Sequence, residues 1–182
     1  RSNVACRCIG YIEITTGATA GEWDNAPTKI QIMGPGVKRT GEIVQVVNYK
    51  TGTYATCTGV ILQDNTIPQK TEGDEIMTLS ITPTNANNKL LIEVFVQAYS
   101  GIGLTGTIAL FQDTTDNALA AMLLIQNTFL THFMTAGTTS ATTFKVRVGP
   151  GAAGTIYING LVGVGLYGGV CSTSITITEI KV

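Results

Sequence analysis

Apolar and polar residues alternate along most of this chain with a period of two, the spacing that puts successive side chains on opposite faces of an extended backbone. From Met77 to Thr82, Met77, Leu79 and Ile81 point one way and Thr78, Ser80 and Thr82 the other. Residues 142–148 repeat the pattern, with Phe144, Val146 and Val148 on one face and Thr143, Lys145 and Arg147 on the opposite one. Further strands are predicted over 42–47, 89–100, 104–111, 128–134, 155–159 and 174–182. Turn formers lie between them, including Asp64-Asn65, Glu72-Gly73-Asp74, Pro83 to Asn88 and Gly149-Pro150-Gly151. Regular strands and turns without helical alternation predict an all-β sandwich or barrel.

Two segments break the rhythm. Residues 116–125, DNALAAMLLI, carry an N-cap candidate and good helix formers, so periodicity fits a short buried helix and a doubly covered strand equally. Near the C-terminus the apolar positions are 175 and 177, then 180 and 182. A bulge near Thr178-Glu179 would return all four to one face, and the last strand is expected to carry one.

The segment from Lys89 to Tyr99 is informative on both faces. Leu90, Ile92, Val94, Val96 and Ala98 form a wholly apolar core side. The other side carries Leu91, Glu93, Phe95, Gln97 and Tyr99, large apolar groups interleaved with hydrogen-bonding ones, as at a subunit interface.

Charge strengthens that expectation. Charged residues make up 13% of the 182, about half the usual share, so little repulsion keeps copies apart. The net charge of −1 is spread without runs, which argues against nucleic acid or an anionic membrane as partner. The apolar stretch 118–125 is far shorter than the roughly 20 residues of a membrane span. The length suits one domain with an appended arm. No signal peptide is read at the start, and Arg1 in place of Met fits a processed product or a piece of a longer polypeptide.

Candidate chemistry is sparse. Gly163, Gly165 and Gly168 have the spacing G-x-G-x-x-G, but the β-rich VCSTSITITEI follows where a dinucleotide site needs a helix. These glycines read instead as a bend between the last strands. His132 is the one histidine, set among Phe129, Leu130, Phe133 and Met134, and reads as a core or interface residue rather than a catalytic base. The carboxylates of Glu72-Gly-Asp-Glu75 invite a glycosidase reading, and Asp113 to Asn117 a calcium loop; both read more simply as turns. Cys6, Cys8, Cys57 and Cys171 lack zinc spacing and are expected as free thiols, with an intermolecular pairing through Cys6 or Cys8 as the alternative. No catalytic, cofactor-binding or metal residue is therefore assigned.

Four stretches, EGDEIMTLSITPTNANNKLLIEV at 72–94, ALFQDTTDNALAAM at 109–122, HFMTAGTTSATTFKVRVG at 132–149 and GTIYINGLVGVGLYGGVCSTSITITEIKV at 154–182, give the chain a resemblance to the C-terminal region of bacteriophage tail fibres and related virion proteins. The segment CIGYIEITTGATAGEWDNAPTKIQIMG at 8–34 is similar to a short β module found upstream in such fibres. The resemblance implies a β-rich arm over 1–41 and an antiparallel, jelly-roll-like β-sandwich over 42–182, and it tips 118–125 toward strand. It further implies a homotrimer on the virion, beside other tail proteins, attaching to a host surface glycan or protein. It supplies no catalytic residues, and the cysteines depart from it. A purely capping trimerisation module, a glycan-degrading tail enzyme and a trimeric signalling ligand are the competing readings. Tyr49, Tyr54 and Tyr167, at or beside turns, are the candidate receptor contacts.

Overall fold

The computed structural model describes residues 10–13, 29–32, 39–101 and 103–182. The chain divides into two compact units, Arg1–Arg39 and Thr40–Val182. In the first, β1 (Gly10–Glu13) pairs antiparallel with β2 (Lys29–Ile32). Cys6 and Cys8 lie outside the described residues.

The second unit runs through β3 (Ile43–Thr51), β4 (Ala55–Cys57), β5 (Asp74–Ile81), β6 (Lys89–Val96), β7 (Ala98–Ser100) and β8 (Gly106–Gln112). It continues with β9 (Ala120–Leu124), β10 (Thr128–Thr135), β11 (Thr142–Pro150) and β12 (Ile156–Ile158). A short hairpin, β13 (Gly160–Leu161) and β14 (Val164–Gly165), precedes the last strand, β15 (Thr173–Ile180). The segment that could have been helix is strand β9. Its Leu124 is buried in the core, whereas Met122 and Leu123 stay exposed, so it is an edge strand covered on one face.

Eight of these strands behave as one long hairpin that has been rolled up. On the outgoing arm β3, β5, β6 and β8 pair antiparallel with β15, β11, β10 and β9 of the returning arm. Rolling brings β15 beside β6 and β11 beside β8. The products are two four-stranded sheets, ordered β10-β6-β15-β3 and β5-β11-β8-β9. This is an antiparallel jelly-roll sandwich. A smaller sheet, β4-β12-β7, adjoins them.

The core lies where the periodicity placed it. Leu90, Ile92, Val94 and Val96 of β6 meet Phe144, Val146 and Val148 of β11 in one apolar cluster with Ile175 and Ile177 of β15. Each fully buried side chain of this size contributes about 1.5–3 kcal/mol through burial.

The C-terminal strand corrects one expectation. β15 pairs regularly with β6 through Thr178↔Leu91, Glu179↔Leu90 and Ile180↔Lys89, so it has no bulge. The irregularity belongs to its other neighbour: Glu179 faces Gln45 and Ile180 faces Ile43, leaving Val44 as the extra residue of β3. The slip in the apolar pattern is a buried glutamate on the core side, not an inserted residue. Glu179 is fully enclosed. Its Oε1 accepts from the Thr84 amide at 2.9 Å, the Thr84 hydroxyl at 2.8 Å and Asn88 Nδ2 at 2.6 Å, and its Oε2 accepts from Gln45 Nε2 at 2.6 Å. Neutral donors thus replace the water that a buried carboxylate loses.

Burial pushes the Glu179 pKa up, but the donors of Asn88, Gln45 and Thr84 together outweigh it and hold the carboxyl below its ordinary 4.5. A lowered folded pKa stabilises the fold fully above the unfolded value, and that contribution is lost as pH falls through the folded value. Denaturant unfolding should therefore show stability flat in this contribution above pH 4.5 and falling below it. Glu179→Gln, which turns an amide donor toward existing donors, should cost about 1–3 kcal/mol at neutral pH and flatten the acid limb.

Candidate functional site

The two sheets differ in what covers their outer faces. On the β5-β11-β8-β9 sheet, Ala109 and Phe111 of β8 are buried beneath Ile61, with Ala118 packed alongside. Arg147 of β11 ties down the same connection, donating from Nε to the Glu72 carbonyl and from Nη2 to the Gly73 carbonyl, each at 2.6 Å. The β8 part of this face is thus covered from within the chain.

On the β10-β6-β15-β3 sheet the outward side chains form rows across the strands. One row runs Phe129, Phe95, Ser174, Lys50; the next Thr131, Glu93, Thr176, Asn48; the third Phe133, Leu91, Thr178, Val46. Phe129 is 51% exposed, Phe133 58% and Phe95 37%. Phenylalanines at that exposure on neighbouring strands form a patch rather than scattered surface residues. Of the interface candidates, Leu91, Glu93 and Phe95 share this face. Phe129 and Phe133 join them, and reading β6 alone missed both. The alternation in TFLTHFMT carries their orientation, but only the pairing of β10 with β6 places them together.

Gln97 sits at the junction where β6 ends and β7 begins, its Oε1 enclosed without a hydrogen-bond partner among the described residues. Tyr99 belongs to the smaller sheet, where its ring centroid lies 6.2 Å from that of Tyr157 on the neighbouring strand.

The three receptor-contact tyrosines fall in different settings. Tyr54 lies half-buried against the β13–β14 hairpin, its hydroxyl accepting from the Gly163 amide at 3.1 Å. Tyr167, at positive φ, stands 74% exposed on the following loop with Val170, while Val162 and Val164 are exposed on the hairpin itself. Tyr49, 44% exposed, is on the core-facing side of β3, opposite Ile175 at the open edge of the sandwich.

The glycines of the G-x-G-x-x-G spacing serve chain geometry. Gly163 turns the hairpin at φ +76°, and Gly168 lies in a single 3-10 turn, Tyr167–Gly169. Close packing explains another: a Cβ on Gly52 would overlap the Gly169 carbonyl. His132 is half-buried on the core-facing side of β10, opposite Ile92, and burial lowers its pKa.

The acidic turns are committed to structure. Asp113 accepts from the Thr143 amide and the Thr142 hydroxyl, and Asp116 pairs with Lys70 at 2.8 Å. Among the described residues no group of three His, Cys, Asp or Glu side chains is placed to hold a metal. Cys57 and Cys171 are free thiols, Cys57 buried.

No protein-family model matches the chain, and no curated protein matches it in sequence. Solved structures similar to it include the CBM22-1 xylan-binding domain from Paenibacillus barcinonensis Xyn10C, at 12% identity and TM-score 0.42 over 80% of this chain and 99% of that one. Another is that of Bacillus endospore appendages, described as disulfide-linked pili, at 12% identity and TM-score 0.31 over 80% and 96%. A third is the enzymatically active domain of Bacteriophage CBA120 tailspike protein 4, at 14% identity and TM-score 0.26 over 65% and 19%. The jelly-roll topology itself stands on this chain's own strand order.

Burial, and behind it the charge of Asp74, pushes the Cys57 thiol up to about 12. The thiolate is the reactive form, so this cysteine is no nucleophile at neutral pH. Iodoacetamide at neutral pH should leave Cys57 unmodified in the native protein and label it after denaturation, as read by mass spectrometry. Rapid native labelling would contradict the buried placement.

Proposed function

We propose that this domain is a non-enzymatic attachment module of a bacteriophage tail, a homotrimer held together through the outer face of the β10-β6-β15-β3 sheet and recognising a bacterial surface component with its loops and edges. The observation that carries the reading is the asymmetry of the sandwich. On one outer face the chain's own residues cover the large apolar group, Phe111 of β8; the other exposes Phe95, Phe129 and Phe133 around a few polar groups. A second copy suits that face, because Glu93 is flanked by threonines that can pair across an interface, and Lys50 and Lys89 on the same face offer it opposite charge. The number three comes from the resemblance to tail-fibre C-terminal regions.

Attachment without hydrolysis is supported by the carboxylates. A glycosidase needs two carboxyl groups facing each other across a sugar. Glu75 instead accepts from the Thr78 hydroxyl at 2.6 Å and lies 3.7 Å from both Lys145 and Arg147. A trimer also compensates for weak single sites, since several linked copies raise avidity by about 10²–10⁴ without new contacts. In the capping alternative the module would trimerise only.

Light scattering should give three times the 19.1 kDa chain mass at micromolar concentration. Phe95→Asp with Phe129→Asp, a cross-strand pair of the patch, should give a folded monomer. Purified wild-type trimer should compete with phage for adsorption to its host. A wild-type monomer would overturn the assembly. Unchanged adsorption under saturating trimer would overturn attachment and leave capping.

A further inference from the structure

The open edge between β3 and β5, where the two sheets part, holds a cleft of about 310 Å³. Tyr49 and Thr51 of β3 line one side and Asp74 of β5 the other, with Thr56 of β4 between them. Cys57, Ile158 and Thr173, all buried, close the bottom. We propose that this cleft is a binding site for one uncharged sugar ring of a surface polysaccharide, with Tyr49 as the stacking face and Asp74 as the acceptor for ring hydroxyls. The proposal rests on the attachment reading and deepens it by naming the ligand class and its seat.

The placement of Asp74 is the strongest observation. On β5, Met77 pairs with Val146 and Glu75 with Arg147, so Ile76 is an extra residue. That bulge reverses the faces beyond it. Glu75 turns outward beside Arg147, and Asp74 turns to the core-facing side opposite Val148. A regular strand would have sent Asp74 to the outer surface; bulges next to binding sites commonly re-aim a side chain in this way.

The re-aimed carboxylate is also held still. Its Oδ2 accepts from the amides of Thr58 at 2.7 Å and Gly59 at 2.8 Å. Its Oδ1 has no protein donor among the described residues, which leaves an oriented acceptor at the cleft. With one oxygen fixed by two backbone donors, Asp74 loses little freedom when a ligand hydroxyl arrives.

Tyr49 supplies the complementary surface. It points to the core side of β3, yet no further strand among the described residues pairs with β3 on that edge, so part of its ring stays open. Its hydroxyl makes no hydrogen bond among the described residues. An aromatic face beside a few placed polar groups suits a ligand that is apolar on its C–H face and polar at its rim, which describes a pyranose ring.

Size and charge narrow the class. Ligand pockets run from about 300 to 1,000 Å³, so this one takes a single ring or a chain end rather than an extended oligosaccharide. Glu75 also reaches the cleft wall, and Lys145 and Arg147 lie 3.7 Å from that carboxylate, while Asp74 has no ion pair among the described residues. Uronic and sialic acids and phosphates are repelled. The raised pKa of Cys57 keeps the floor neutral beneath it.

The test is a titration of the labelled wild-type protein, followed by amide NMR, with methyl glycosides of glucose, galactose, N-acetylglucosamine and glucuronic acid. At least one uncharged glycoside should shift the amides of Tyr49, Thr56 and Asp74 with millimolar affinity, and the glucuronide should not. Tyr49→Ala should weaken that binding about tenfold while the domain stays folded, with at most a modest fall in melting temperature. Asp74→Asn should weaken it as well; if that variant fails to fold, Tyr49→Ala decides. No response to any uncharged glycoside, shifts confined to another surface, or an equal response to the glucuronide would overturn the proposal. Adsorption competition separates it from the broader reading. A wild-type protein that competes alongside an equally effective Tyr49→Ala variant retains attachment and removes this cleft. A wild-type protein that binds a glycoside here yet never competes retains the cleft and removes attachment.

Discussion

The sandwich depends on the insertion of its last strand between its first and its third. β15 lies between β3 and β6, and without it β3 would have no partner in its sheet and Ile92 and Val94 would lose the neighbours Ile177 and Ile175. Glu179 secures that insertion. One carboxylate gathers donors from β3 and from the turn before β6, so the two neighbours of β15 and the turn between the sheets are tied to a single point. An apolar residue there would leave the buried Asn88 amide without its carboxylate acceptor and release Thr84 and Gln45 from β15, the costlier choice in a low-dielectric interior.

From that closure follows the difference between the two outer faces. The connection from β4 to β5 is long enough to return across β8, where Ile61 covers Phe111. The β10-β6-β15-β3 sheet is built from strands whose connections run to the other sheet or over the ends, and its aromatic rows remain on the surface. Both proposed activities use what the roll leaves open: the bare face for assembly, and the parted edge beside β3 and β5 for a ligand. They are separate surfaces, so assembly can present several copies of the cleft at once.

Much of the fold was legible because burial on one face imposes a period of two. The strands around Met77, Leu90 and Phe144 were visible for that reason, and so was the apolar side of β6. Residues 118–125 were not, since an edge strand with one covered face and four exposed or half-exposed residues presents no alternation to read. The slip at Glu179 was visible but misread. In sequence a buried carboxylate and an inserted residue leave the same mark, and only the positions of Thr84, Asn88 and Gln45 distinguish them.

The sequence by itself determined which side chains share a face of each strand, where the chain turns, and that Leu91, Glu93 and Phe95 form a mixed surface opposite the core. These are local properties, set by the backbone's alternation and by turn residues. Tertiary structure decided which strands lie side by side, and hence that Phe129 stands next to Phe95 and Tyr54 beneath Gly163. It decided also that Tyr49 and Asp74, 25 residues apart in sequence, line one cleft. The reason is physical. A register shift such as that at Ile76 costs one unpaired residue and reverses every side chain beyond it, and which strand absorbs it depends on neighbours far away along the chain.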